Sequence, residues 1–418
     1  MVQIETNIKV KFVAQNYISH VIKLFSLTKP NKVLPVDKEL YDIEYKINNC
    51  KTEFTDDNDD LSTLALTSNP SSFSSTESVE EHFSNKSTFN PKNFTMISML
   101  GSGTFGKVYL STYENKFYAI KTFPKNKIDK REIEKIILEK SLLMQLDSPF
   151  ILRFYGTCQT NNELYFVTEL LEYGNLFHAI YNERNLTHET CVFYTASIIL
   201  GINYIHSKNI VYRDLKPENI MIGSNGYPKI IDFGLSRQLP YIKMENGKMR
   251  SYSQCYTLCG TPEYFSPELI LENGYDYSVD VWAIGVLLYE MIFQKTPFDP
   301  QTDDENNLTK LFTNIMICGK NGISISKKLD KKTDGTANAR NLISQLLSGD
   351  KIKRLGGNNR PSSLLNHPYF LSTNIDEDEL YNQSIQAPII QPQFIGKDIT
   401  TEKDVEEYHG DHEIFARF

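Results

Sequence analysis

The chain has 418 residues, 40% of them hydrophobic and 23% charged, and its 44 basic and 52 acidic side chains leave a formal net charge of −8. That composition excludes a wholly disordered or collagen-like chain and is enough for roughly two or three domain-sized units. The acidic balance argues against nucleic acid as the main partner, because phosphate backbones are bound by surplus Lys and Arg.

Residues 1–50 carry alternating apolar and polar stretches (Ile8-Lys9-Val10-Lys11-Phe12-Val13, Tyr41-Asp42-Ile43-Glu44-Tyr45) that suggest short strands in a small region of unknown role. Residues 51–93 hold an acidic cluster (Asp56, Asp57, Asp59, Asp60) and then a Ser-rich run. Such a segment buries too little apolar surface to offset its ordering entropy, so it reads as a flexible linker. From 94 to 370 the texture is globular, with strand-like segments first and helical patterns later; 371–418 turns polar and acidic. That last segment holds 11 acidic and 3 basic side chains, which accounts for the entire net charge.

The six cysteines (Cys50, Cys158, Cys191, Cys255, Cys259, Cys318) are scattered, and none sits in a zinc-type spacing, so free thiols in a reducing compartment are expected. The N-terminus lacks the apolar stretch of a secretory signal. The apolar run 281–293 contains Glu290 and is shorter than the ~20 residues a bilayer span requires. A cytoplasmic protein without a transmembrane segment is expected, with nuclear access open to it.

The chemistry begins at Leu100-Gly101-Ser102-Gly103-Thr104-Phe105-Gly106-Lys107-Val108. Three glycines let a backbone fold tightly over phosphates with amide N–H groups free to meet anionic oxygens. A dinucleotide-binding unit would open a helix on the third glycine, whereas here a second strand follows, Phe117-Tyr118-Ala119-Ile120-Lys121. Lys121 lies inside an apolar strand, where an unpaired ammonium is costly, so it needs anionic partners. The helical stretch 131–146 offers Glu132, Glu134 and Glu139. Next come Tyr212-Arg213-Asp214-Leu215-Lys216-Pro217-Glu218-Asn219 and Ile230-Ile231-Asp232-Phe233-Gly234. Asp214 can orient a hydroxyl and accept its proton, Lys216 can neutralise a transferring phosphoryl group, and Asn219 and Asp232 offer the hard oxygens that Mg²⁺ prefers.

In this order, residues 94–370 resemble a eukaryotic protein kinase catalytic domain. The resemblance implies an α+β, two-lobed fold, with a β-rich small lobe (94–170) containing one key helix and a mainly helical large lobe (171–370). It implies ATP and Mg²⁺ in the cleft. By that resemblance the glycine loop from Leu100 to Val108 covers the phosphates, Lys121 holds the α- and β-phosphates, and Glu139 pairs with Lys121. Val108, Ala119 and Met221 would enclose the adenine, Glu169 and Leu171 would belong to the hinge, and Thr168 would guard the pocket behind it. Asp214 would be the catalytic base, Asn219 and Asp232 the metal ligands, and Thr261 the brace of Asp214 and Lys216. Lys216 and the run Gly260-Thr261-Pro262-Glu263-Tyr264 resemble the serine/threonine form, so protein Ser/Thr hydroxyls are the implied substrates. Ser266-Pro267-Glu268 resembles the closing Ala-Pro-Glu motif, with Glu268 expected to pair with Arg354.

Tyr212 before Arg-Asp, the run 257–264 and a tail ending in Phe415-x-x-Phe418 resemble the AGC group, cyclic-nucleotide-dependent kinases in particular. The two aromatics would dock on the small lobe and hold the Glu139 helix. Thr257 matches that group's activating phosphothreonine, placed there by an upstream kinase, and its phosphate would pair with Arg213, Arg237 and Lys135. Glu218, Glu290, Leu258 and Pro262 would contact the substrate, with basic residues preferred before the acceptor. Asn175 stands where a cyclic-AMP-dependent kinase carries a Glu, which broadens that preference. Val405 replaces the aromatic that normally approaches the adenine. An insertion over 241–253, with Lys243, Lys248 and Arg250 near its tip, reads as a solvated loop. A monomeric catalytic unit that binds no nucleic acid is expected.

Overall fold

The computed structural model describes residues 89–103, 106–181, 186–239, 241–243, 249–251, 254–272, 274–300, 307–325, 336–357, 361–373, 375–388, 397–398 and 407–418. Cys50, Thr104, Phe105, Val405, the strands expected in 1–50, most of the 51–93 linker and the tip of the 241–253 insertion lie outside these residues.

In chain order the elements begin with β1 (Thr95–Gly103), β2 (Gly106–Tyr113), β3 (Lys116–Pro124), α1 (Lys130–Gln145), β4 (Phe154–Gln159) and β5 (Glu163–Thr168). These form the small lobe. All its strand pairings are antiparallel, and the period-two alternation of β3 and β5 sorts residues between the two faces of the sheet. Ala119, Lys121 and Phe123 fall on one face and Tyr118 and Ile120 on the other. Phe123 meets Phe166 of β5 at 5.2 Å and Phe154 meets the same ring at 5.3 Å. On the opposite face Ile120, Tyr165 and Val167 pack with Phe89, Phe94, Tyr113, Tyr118 and Tyr155.

Phe89 moves one expected boundary. The segment through residue 93 reads as linker, yet Phe89 is 9% exposed and its ring lies 5.3 Å from Tyr113 and 5.6 Å from Phe94. Asn90 then caps a short turn, Pro91–Asn93. One buried aromatic anchors what polar composition alone assigns to a linker, so the packed fold begins no later than Phe89.

The large lobe follows with α2 (Leu176–Tyr181), α3 (His188–Ser207), the short strands β6 (Ile210–Val211), β7 (Ile220–Ile222), β8 (Pro228–Ile230) and β9 (Arg237–Gln238), then β10 (Tyr241–Lys243) and β11 (Met249–Ser251). Helices α4 (Pro267–Ile270), α5 (Ser278–Phe293), α6 (Asn307–Asn321), α7 (Thr336–Leu346) and α8 (Pro368–Leu371) complete it. Helices α3 and α5 are apolar around nearly their whole circumference, which marks them as central rather than surface helices. They pack on each other, and α5 packs on α7, with Trp282 fully buried.

The insertion departs from the expected loop: β10 and β11 pair as an antiparallel ribbon, Tyr241 opposite Ser251 and Lys243 opposite Met249. Three-residue strands carry too little periodicity to be read in sequence.

The tail runs back across the large lobe and reaches the small lobe. In α9 (Glu377–Tyr381), Leu380 is buried and Tyr381 meets Phe150 at 6.0 Å. The Tyr227 hydroxyl donates to the Ile385 carbonyl at 2.6 Å. Further on, β12 (Lys397–Asp398) adds a strand to the edge of β1, Ser98 opposite Asp398 and Met99 opposite Lys397.

Candidate active site

Strand β3 and helix α1 bring Lys121 and Glu139 together. Helix α1 is launched by a capping box: Asp129 Oδ1 accepts from the N–H groups of Arg131 and Glu132, both at 2.8 Å, and Glu132 Oε2 accepts from the Asp129 N–H at 3.0 Å. This occupies Glu132 at the helix start, and Glu134 is exposed, so of the three candidate acids Glu139 faces the cleft. Lys121 Nζ lies 3.1 Å from Glu139 Oε1, with the Glu139 side chain only 8% exposed. Burial would lower the Lys121 pKa, but the Glu139 and Asp232 carboxylates outweigh it and hold the ammonium above its usual value.

Around this pair the ladder places Val108 opposite Lys121 and Ala119 opposite Thr168. The Thr168 hydroxyl donates to the Ala119 carbonyl at 3.1 Å. Leu171 is buried, while Leu100, Val108 and Met221 are half-buried. The chain between the lobes is tied to β7 through Tyr173 N–H to Ile222 O at 3.1 Å and Ile222 N–H to Gly174 O at 2.9 Å. Its first residue, Glu169, accepts Lys229 Nζ at 2.7 and 2.9 Å. In the glycine loop, Gly101, Ser102 and Gly103 end β1, and Gly106 and Lys107 open β2. Gly106 runs so close to β3 that a Cβ there would collide with the Thr122 carbonyl.

The segment 212–219, which carries the candidate base Asp214, is held by an acid that the motifs do not reveal. Asp280 of α5 is 1% exposed; its Oδ2 accepts the Tyr212 N–H at 2.8 Å and its Oδ1 the Arg213 N–H at 2.8 Å. His206 Nε2 lies 2.8 Å from Oδ2. These bonds support Arg213 in a left-handed conformation, φ 71°. A carboxylate inside an otherwise apolar helix is the sequence signal that could have found it.

Asp214 sits at the centre of a closed network. Its Oδ1 accepts the Thr261 hydroxyl at 2.9 Å, and its Oδ2 accepts Asn219 Nδ2 at 2.8 Å and lies 3.0 Å from Lys216 Nζ. Lys216 Nζ also donates to Thr261 Oγ1 at 2.9 Å. Burial pushes the Asp214 pKa above the usual carboxylate value, against the Lys216 charge and the bonds from Lys216, Thr261 and Asn219. Gly260, at φ 108°, approaches so closely that a Cβ would sit 2.7 Å from the Arg213 carbonyl. With Asn219 Nδ2 committed to Asp214 Oδ2 and the Asp214 carbonyl, its Oδ1 is left as a hard donor. Asp232 takes a left-handed conformation, φ 59°, and is close enough to act electrostatically on Lys121 and Glu139. Among the described residues no group of three or more His, Cys, Asp and Glu side chains forms a metal cage.

Thr257 is exposed, and its carbonyl accepts the Tyr275 hydroxyl at 2.7 Å; that hydroxyl also receives Arg213 Nη1 at 3.1 Å. Arg237 is exposed on β9, and Lys135 is exposed on α1. Tyr275, absent from the motif reading, thus joins Arg213 to the backbone of the candidate modification site. Of the expected substrate contacts, Glu218 is exposed and Pro262 half-buried, while Leu258 is buried. Glu290 is buried too, 3% exposed, with its two oxygens accepting the Tyr181 hydroxyl at 2.6 Å and the Tyr264 hydroxyl. Deeper in the lobe Arg354 grips Glu268 at 2.6 and 2.9 Å.

The tail closes on α1. Phe418 stacks on Phe166 at 5.8 Å with 9° between the planes, and Lys140, next to Glu139, donates to the Phe418 carbonyl and lies 5.3 Å from its ring. Phe415 is 1% exposed, under Lys125 Nζ at 4.7 Å.

No helix among the described residues is long and apolar enough to cross a membrane, and Cys158, Cys191, Cys255, Cys259 and Cys318 are free thiols. The family model described as the protein kinase domain matches residues 94–370. The serine/threonine-protein kinase Sgk1 of Xenopus tropicalis is 35% identical over 302 residues, covering 71% of this chain and 66% of that protein. The serine/threonine-protein kinase sgk-1 of Caenorhabditis elegans is 35% identical over 311 residues, 73% of this chain and 62% of that protein. The cAMP-dependent protein kinase type 3 of Saccharomyces cerevisiae is 33% identical over 320 residues, 76% of this chain and 73% of that protein. The chain therefore spans somewhat less than two thirds of the length of the two Sgk1-type relatives.

Proposed function

Because the chain belongs to the protein kinase domain family, we propose that it is a serine/threonine protein kinase of AGC type, transferring the ATP γ-phosphoryl group to Ser or Thr hydroxyls of proteins. The observation that carries this reading is the pairing of two intact constellations: Lys121 with Glu139 on one side of the cleft, and Asp214 with Lys216, Asn219 and Thr261 on the other.

Each constellation has a task. Lys121, kept charged by Glu139, binds the α- and β-phosphate oxygens, while the glycine loop supplies backbone N–H groups from above. Leu100, Val108, Ala119, Leu171 and Met221 enclose the adenine; Thr168 and Glu169 mark the back and the hinge edge of its pocket. Asp214 orients the incoming hydroxyl and accepts its proton, and the Thr261 and Asn219 bonds fix which way its two oxygens point. Lys216 sets a positive charge beside the transferring group. Asn219 Oδ1 and the Asp232 carboxylate are the residues that would hold Mg²⁺, whose charge would offset that of the phosphate oxygens.

The finer reading is that basic residues before the acceptor are preferred, drawn by the exposed carboxylate of Glu218 beside the catalytic loop. Phosphorylation of Thr257 by an upstream kinase activates the enzyme. Its phosphate reaches Arg213, already hydrogen-bonded to Tyr275, and through Arg213 the catalytic loop. Docking of Phe415 and Phe418 keeps α1 and Glu139 in place. A cytoplasmic site of action fits this role. The test is phosphate transfer from labelled ATP to a basic protein, with Asp214→Ala and Thr257→Ala alongside the unaltered chain. Transfer should vanish with Asp214→Ala and fall with Thr257→Ala; equal transfer by all three proteins refutes the reading.

A further inference from the structure

The carboxylate of Glu290, an expected substrate contact, is buried near enough to Glu218 and Glu263 to feel their charge. Among the described residues its two donors are neutral hydroxyls, which hydrogen-bond its charge without neutralising it. Burial pushes its pKa up against those two donors, and Glu218 and Glu263 push in the same direction. A substrate guanidinium would be a better partner than either tyrosine. What denies it access is cover, since Glu290 is only 3% exposed.

The two covering tyrosines are not equivalent. Tyr264 is 8% exposed and lies in the segment Pro262–Tyr264, directly after the Thr261 that braces Asp214. Tyr181 is the last residue of α2, is 38% exposed, and packs its ring 4.6 Å from Phe177, itself 37% exposed. Among the described residues, Tyr181 is thus the more exposed of the two tyrosines bound to Glu290, and it lies outside the segment that follows Thr261.

Resting on the kinase reading above, we infer that Tyr181 is a specificity-determining residue: it withholds Glu290 from cationic substrate side chains and leaves their recognition to Glu218. This chain then selects basic substrates through one exposed carboxylate, with a second held in reserve behind a tyrosine. Removing the tyrosine adds a position at which arginine is preferred.

The test scans a single arginine through the positions before the acceptor of a neutral peptide. For each enzyme it reads the ratio of kcat/KM for the arginine peptide over the alanine peptide, so that a general loss of activity cancels. Tyr181→Ala should raise this ratio about tenfold at one position where the unaltered chain shows none, the scale of a hydrogen bond to a charged group. Adding Glu290→Gln to Tyr181→Ala should remove the gain. Tyr181→Phe, which keeps the ring in place and is the safer variant for folding, should give a smaller gain at the same position. An arginine profile unchanged in both Tyr181 variants overturns the inference. So does a loss of arginine preference on Glu290→Gln alone, because Glu290 would then already read substrate with Tyr181 in place. No transfer to any peptide by the unaltered chain overturns the kinase reading itself.

Discussion

Removing the charge of Glu268 should loosen the large lobe far more than its distance from the catalytic residues suggests. The Arg354 side chain that it holds is 0% exposed. Arg354 makes two bonds to Glu268, at 2.6 and 2.9 Å, and donates to the Ser278 and Ser348 carbonyls at 2.8 and 2.9 Å. Its guanidinium lies 5.1 Å from the Trp282 ring, in the lobe's centre. Glu268→Gln preserves the shape but puts an amide N–H₂ where a carboxylate oxygen met the guanidinium, leaving a buried cation uncompensated. Breaking one side of such a pair costs about 3–5 kcal/mol. Against a typical domain stability of about 5–15 kcal/mol this is a large fraction. It corresponds to a fall in unfolding temperature on the order of 10 °C. Thermal unfolding followed by near-ultraviolet circular dichroism measures it. The paired replacement Glu268→Leu with Arg354→Met removes both charges and should cost clearly less than Glu268→Gln alone. A single-variant loss below about 1 kcal/mol, or a double variant as damaged as the sum of its singles, refutes the argument.

Other consequences follow from the same geometry. Protonation of Asp214, the proposed base, should lower kcat/KM as pH drops through its raised pKa; Lys216→Ala withdraws a charge that favours the carboxylate and should move this acid limb to higher pH. A limb that stays in place or moves to lower pH contradicts it. Ser266 is fully buried with its hydroxyl lacking any hydrogen-bond partner among the described residues. Ser266→Ala should therefore stabilise the protein by about 1 kcal/mol, and a loss of stability in denaturant unfolding contradicts this. Phe418→Ala removes the ring stacked on Phe166, so amide exchange in α1 should speed up and kcat should fall; unchanged exchange across α1 rejects the link between tail and helix.

Much of the site was legible in sequence because its chemistry is carried by short, ordered motifs. Lys121 in its apolar strand demanded an acid; the sequence left three candidates, the family resemblance pointed to Glu139, and the structure brings that one to Lys121. Asp214, Asn219 and Asp232 could be singled out as a candidate base and two candidate hard ligands before any coordinates, and the structure joins Asp214 to Asn219. What could not be read depends on contacts far apart in the chain. Asp280 is 66 residues from Asp214 in sequence and becomes its loop's anchor only when α5 crosses beneath. Phe89 looks like linker until the aromatic face of the sheet receives it. The β10–β11 ribbon and β12 are too short for a pattern, and their pairing is set by the neighbouring chain. Glu290 was expected among the substrate contacts from the family resemblance alone; the hydroxyl of Tyr181 that meets it comes from 109 residues earlier, a contact no local pattern reveals.

The central claim is that Asp214, set by Thr261, Asn219 and Lys216, directs the ATP γ-phosphoryl group to aliphatic hydroxyls of protein. Phosphoamino-acid analysis of a protein substrate labelled in the presence of Mg²⁺ tests it most directly, with Asp214→Asn as the paired reaction. The account predicts phosphoserine and phosphothreonine from the unaltered chain and neither from the variant. Phosphotyrosine as the main product, or equal labelling by the variant, would contradict it.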